Sequence, residues 1–171
     1  PRSTFSRSST ASSGRPAGPA LGHPTNLISA VFSLDARQVL TTSFDHAARI
    51  WDAESGRQIG SPLQHDRMIY FAAFSPDARF VATTSTNRTA RVWKSESGEP
   101  ISPPLPHQGE VFHAQFSPDG RRLITAATDD IYVWPLPSGA PKKLGLKSGA
   151  FRVAFSADGK RFVSANRSHD A

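Results

Sequence analysis

Ala48-Arg49-Ile50-Trp51-Asp52, Ala90-Arg91-Val92-Trp93-Lys94 and Ile131-Tyr132-Val133-Trp134-Pro135 are three versions of one phrase. Their tryptophans stand 42 and 41 residues apart, and His23, His65 and His107 precede them at intervals of 42 and 42. A period of this length, opened by His and closed by Trp, marks a chain built from copies of one supersecondary unit.

Between each His and its Trp lies a second shared phrase. It reads Ala-Val-Phe-Ser-Leu-Asp (30–35), Ala-Ala-Phe-Ser-Pro-Asp (72–77) and Ala-Gln-Phe-Ser-Pro-Asp-Gly (114–120), and begins a fourth time as Val-Ala-Phe-Ser-Ala-Asp-Gly (153–159). The connectors repeat as well: Ser13-Gly14 with Leu21, Ser55-Gly56 with Leu63, and Ser97-Gly98 with Leu105. The periodic region therefore covers residues 14–171, divided into units at 23–64, 65–106, 107–145 and a truncated 146–171.

Each unit reads as four short strands. Apolar runs such as Val31-Phe32 end at Ser-x-Asp turn signals. Then come Val39–Thr42 and its counterparts, an alternating run that ends at Trp, and a segment bounded by Gly and Pro such as Gln58–Leu63. Runs rich in Val, Ile, Phe and Thr between turn residues are strand signals. No stretch sustains a helical period, so the fold class is all-β with helices nearly absent.

The sequence resembles WD40 repeat proteins, whose units open on Gly-His and close on Trp-Asp. Gly22-His23 and Trp51-Asp52 carry both dipeptides, while later units keep only the His and the Trp. The Arg-rich wording of residues 116–123 is similar to bacterial WD40 tracts. The resemblance implies a partial β-propeller of about three and a half four-stranded blades. Residues 1–13, with eight Ser or Thr, are then either disordered or the degenerate last strand of a preceding blade, with Ser9 at the position of its Trp.

The resemblance also assigns roles. In a WD40 blade the His, a strand hydroxyl, a turn Asp and the Trp indole form a hydrogen-bonded chain. A buried indole N–H needs an acceptor, and a neutral His can relay between donor and acceptor. The matching positions in the first unit are His23, Thr42 or Ser43, Asp45 and Trp51. Asn87 replaces the Asp in the second unit (His65, Trp93), and Thr128 followed by Asp129 does so in the third (His107, Trp134). The network is expected to be complete in the first unit and weaker in the others.

Four residues before each repeated Phe stand Ile28, Tyr70, Phe112 and Phe151. In WD40 proteins this innermost-strand position commonly faces partners, which makes these residues, with Phe44, the candidate partner-binding face. The alternative is that they pack into the blades.

Other chemistry is poorly supported. There is no Cys, so disulfides and Cys-based zinc sites are excluded. His46, His113 and His169 lie outside the repeated positions, and one repeated His per blade does not build a metal site. Gly145-Leu146-Lys147-Ser148 lacks the glycines of a phosphate loop and reads as a turn. No nucleophile elbow is present, no catalytic residue is assigned, and no cofactor is implied. The formal net charge of +6 comes from scattered arginines without an aromatic-interleaved stripe, which disfavours nucleic acid. No apolar stretch is long enough to span a membrane. The expected function is a non-catalytic, cytoplasmic scaffold for a protein or peptide, with the remaining blades supplied by a longer parent chain or by a second copy. The alternative is the sensor or regulatory propeller of a larger signalling enzyme, such as a serine/threonine kinase or signalling NTPase.

Overall fold

A computed structural model of the chain describes residues 4–6, 18–137, 139–145 and 149–166, and among these it contains strands and turns but no helix. Three four-stranded antiparallel sheets follow one another. The first holds β3 (Leu27–Phe32), β4 (Gln38–Ser43), β5 (Ala47–Asp52) and β6 (Gln58–Gln64). The second holds β7 (Ile69–Phe74), β8 (Phe80–Ser85), β9 (Thr89–Lys94) and β10 (Leu105–Pro106). The third holds β11 (Val111–Phe116), β12 (Arg122–Ala127), β13 (Ile131–Pro135) and β14 (Lys142–Lys143). Each is a propeller blade with its strands in chain order.

Two half-blades flank them. β1 (Thr4–Ser6) pairs with β2 (Leu21–His23), and β15 (Ala150–Phe155) pairs with β16 (Phe162–Asn166). The pairs Phe5↔Gly22 and Ser6↔Leu21 reappear 42 residues on as Ala47↔Gln64 and Ala48↔Leu63. β1 and β2 thus take the register of the third and fourth strands of a preceding blade. Ser9 lies outside the described residues.

The second strand of each complete blade is buried along almost its whole length because both its faces are covered. Alternate residues point to opposite neighbours. Leu40, with Ala48, Ile50 and Leu63, packs against Ile69, Ala72, Val81 and Trp93 of the next blade. Ala82 and Val92 do the same toward Leu123, Tyr132 and Trp134, and Ile124 packs toward Ala150 and Val153. The core is therefore a series of inter-blade layers, and no blade has a core of its own.

The repeated turn has a local cause. The hydroxyls of Ser33, Ser75, Ser117 and Ser156 each donate to the Asp two residues on, at 2.7, 2.6, 2.5 and 2.6 Å. The residue directly after that Asp is left-handed, at φ 57° for Ala36, 56° for Ala78, 68° for Gly120 and 66° for Gly159. The Ser-Gly connector serves contact between blades. Ser61 N–H donates to the Ser97 carbonyl at 3.0 Å, and a Cβ at Gly98 would lie 2.3 Å from the Ser61 carbonyl oxygen. Only glycine fits there.

Candidate functional site

The polar relay is built from the same strands. In the third blade Trp134 Nε1–H donates to Thr125 Oγ1 at 3.0 Å, and Thr125 Oγ1 lies 2.7 Å from His107 Nε2. His107 Nδ1 lies 3.0 Å from the Leu105 carbonyl, which can only accept. This fixes the direction: indole N–H to hydroxyl, hydroxyl to Nε2, and Nδ1–H to carbonyl. The second blade repeats its first two links, with Trp93 to Thr83 at 2.8 Å and Thr83 to His65 Nε2 at 2.7 Å, while His65 Nδ1 is buried without a hydrogen-bond partner among the described residues. Burial holds both imidazoles neutral and lowers their pKa to about 4.

The first blade departs from expectation in two ways. The hydroxyl that takes the Trp51 indole N–H is Thr41, at 2.8 Å, and not Thr42 or Ser43. Trp51 lies opposite Val39, so Thr41, two residues along, shares its face, while Thr42 points to the other face and bonds Ser29. Ser43 instead donates to Asp45. The relay is also shortest where it was expected to be complete. His23 packs edge-on to Trp51 with ring centroids 5.0 Å apart, but neither ring nitrogen has a hydrogen-bond partner among the described residues.

The turn residues account for part of this. The Asp45 carboxylate is taken by Arg49 and Ser43. Burial opposes its ionisation, yet those hydrogen bonds outweigh burial and hold its pKa below the ordinary value. In the second blade Asn87 turns onto Thr89, 2.6 Å from its hydroxyl, and Nε of the equivalent Arg91 is buried without a partner. In the third, Asp129 bonds the Tyr132 hydroxyl and Lys143 Nζ.

The four candidate contact residues share an unforeseen geometry. The ladder register shifts between Leu27 and Ser29, Ile69 and Phe71, Val111 and His113, and Ala150 and Arg152. The extra residue in each bulge is Ile28, Tyr70, Phe112 or Phe151. A bulge takes a residue out of the pleat and re-aims its side chain. The rings of Tyr70 and Phe112 lie 4.9 Å apart, and those of Phe112 and Phe151 4.8 Å apart, so three blades present one continuous aromatic row. Tyr70 and Phe112 are half-buried against their neighbours, whereas Ile28 and Phe151 are each 37% exposed and Phe44 56%. Burial, and then the negative charge of Glu110, raise the Tyr70 pKa above its ordinary value.

One residue further along, the rings of Phe71 and His113 lie tilted against each other with centroids 4.1 Å apart, a contact no motif announced. Burial, and then Arg152, lower the His113 pKa to about 4. Nearby, an apolar groove of about 400 Å³ is lined by Val31, Phe32, Leu34, Phe71, Phe74 and Phe116. Among the described residues no group of three or more His, Cys, Asp or Glu is placed to hold a metal, and no helix is long and apolar enough to cross a membrane. Lys147, Ser148 and His169 lie outside the described residues.

A family model, described as WD domain, G-beta repeat, matches residues 19–52, 56–94 and 98–134. No curated protein matches the chain. Repeats of this kind are generally scaffolds for protein interaction and typically carry no catalysis. The matched segments end on Asp52, Lys94 and Trp134, at or one residue past the tryptophans that anchor the relays, and they cover well over half of the sequence. The chain belongs to the WD40 repeat family.

Proposed function

We propose that this chain is a non-catalytic scaffold that binds a protein or peptide through Ile28, Tyr70, Phe112 and Phe151, with Phe44 at the margin. The observation that carries this reading is the set of four bulges. At the same point of four successive inner strands the ladder is broken, and each break holds a large apolar residue. A ladder gap repeated in register sacrifices pairing, and its return is a row of re-aimed side chains on a rigid frame. Partly exposed aromatics held in this way are the kind of anchor on which interface energy concentrates.

The test uses a random peptide-display library selected on the immobilised protein, followed by calorimetry of the winning peptides. Phe112→Ala should weaken binding by about tenfold, as loss of an aromatic anchor does. Replacing Arg121 and Arg122 together should change mainly the association rate and its salt dependence. Peptides that bind Phe112→Ala as well as the parent protein would overturn the assignment of this face. Loss of folding in Phe112→Ala would assign the row to the core instead.

A further inference from the structure

The second blade differs from both its neighbours at one corner. In the first and third blades the turn after the second strand carries an acid seated on a cation: Asp45 on Arg49, and Asp129 on Lys143. The same turn of the second blade, between β8 and β9, holds Asn87, whose Oδ1 accepts from the Thr89 N–H and hydroxyl. In place of an acid, three arginines meet there. Arg67 stands where the first and third blades have Thr25 and Gly109. Arg88 stands where the first has His46, and Arg91 where it has Arg49.

Backbone contacts hold the three residues together. Ser85 Oγ donates to the Arg67 carbonyl at 3.2 Å and accepts from Asn87 N–H at 3.3 Å. One hydroxyl thus joins the loop before β7 to the turn, with Arg67 on one side and Arg88 on the other. Thr86 N–H adds a second tie, to the Met68 carbonyl at 3.1 Å. None of the three arginines forms an ion pair among the described residues. Arg67 and Arg88 are exposed. Arg91 is half-buried, with Nε shielded and unbonded and its guanidinium 5.5 Å over the Trp93 ring. The acids that border the corner act elsewhere, Asp66 on His65 and Glu110 on Tyr70.

We propose that this corner binds the carboxylates of an acidic segment of a partner protein, with Arg91 as the seat and Arg67 and Arg88 as outer contacts. The first blade displays the fit. There Asp45 sets one carboxylate oxygen on Nη1 and the other on Nη2 of Arg49. That is the fork geometry guanidinium and carboxylate share. An Asp or Glu side chain from outside does for Arg91 what Asp45 does for Arg49. It meets a shielded donor that is costly to leave unbonded, and it relieves three like charges held at one turn. The contact with Trp93 is the weaker resting place of the same guanidinium. The site stands on the turn of the second blade alone and does not depend on the aromatic row.

The test titrates the full chain, labelled with nitrogen-15, with tetraglutamate or tetraglutamine at constant ionic strength while the arginine Nε–H resonances are followed by NMR. Tetraglutamate should shift the Arg91 signal, assigned by its loss in Arg91→Lys, along a saturable curve. Tetraglutamine should leave it in place. Asn87→Asp puts the acid into the turn itself and should weaken tetraglutamate binding by about tenfold, as competition for one cation does. Arg67→Gln combined with Arg88→Gln, both exposed, should also weaken it while strand content, read by circular dichroism, is retained. Arg121→Gln combined with Arg122→Gln, at the opposite end of the strands, should leave it unchanged. An Arg91 signal indifferent to tetraglutamate, an equal response to tetraglutamine, equal weakening in the Arg121 and Arg122 variant, or full binding to Asn87→Asp would each overturn the inference. Inorganic phosphate that binds this corner more tightly than tetraglutamate would overturn carboxylate as its ligand.

Discussion

The first and second blades carry the same three residues 42 positions apart, yet bond them differently. In the second, His65, Thr83 and Trp93 form one chain; in the first, Thr41 and Trp51 bond and His23 stands aside. The arginines behave in the opposite sense. Arg49 is satisfied by Asp45, while Nε of Arg91 has no hydrogen-bond partner among the described residues and its guanidinium lies over the Trp93 ring. A blade of this design has one acid position in its turn. An acid there goes to the nearest permanent cation, because a guanidinium fork binds carboxylate better than a neutral imidazole can. The turn residue thus decides which polar group of the blade is left to burial alone.

The largest consequence is acid sensitivity centred on the second and third blades. His65 and His107 titrate near pH 6.5 when unfolded but at about 4 when folded. The unfolded state takes up their protons first, so stability is full above about pH 6.5, falls as pH drops toward 4, and levels off below. Each ring should contribute up to about 3 kcal/mol to that loss, at about 1.4 kcal/mol per pH unit. Urea melts from pH 7 to 4.5 should show stability falling less with pH in His65→Gln than in the parent, and a smaller change in His23→Gln, whose imidazole burial, and then Arg49, also hold below its ordinary pKa. Equal changes in both variants would erase the distinction between the blades.

Next in size is the shared hydroxyl. Thr83→Val leaves the Trp93 indole N–H unbonded and removes the donor to His65, for about 2–4 kcal/mol, because each buried polar group left unsatisfied costs about 1–3. Thr41→Val strands the Trp51 N–H and removes only a long bond, 3.4 Å, to the Arg49 carbonyl, so it should cost about half as much. Chemical denaturation of the pair measures the difference directly. A Thr41→Val loss as large as that of Thr83→Val would mean that His23 is bonded in solution after all.

Much of this was legible in the sequence, for a physical reason. Inter-blade layers demand the same apolar residue at the same step of every unit, so Leu40, Ala82 and Ile124 announce themselves by period alone. The choice among Thr41, Thr42 and Ser43 was not legible, because it depends on which residue of β4 lies opposite Trp51. The position of Ile28, Tyr70, Phe112 and Phe151 could be aligned, but the bulge that re-aims them is a property of the ladder and has no residue type of its own. The Asp45–Arg49 pair could have been read from its i, i+4 spacing across a tight turn. It was masked by the family role assigned to the Asp.

The smallest expected effect tests the comparison most directly. Asn87→Asp gives the second blade the acid of the first. The new carboxylate keeps an oxygen where Asn87 Oδ1 accepts from Thr89 N–H and hydroxyl, so the turn itself should survive. Arg91 occupies the place of Arg49, 42 residues on, and would gain the partner that its predecessor has. The gain should be about 1 kcal/mol, modest because ordering a partly buried pair offsets much of its attraction. The His65 titration discriminates between the two possible recipients of the acid. Arg91 lowers the His65 pKa through its charge, so neutralising that charge should raise the imidazole above its present value of about 4. A small rise with a gain in stability, read by proton NMR and urea melts, would place the acid on Arg91 as in the first blade. A large rise without such a gain would place it on His65, and the rule that the arginine is served first would fail.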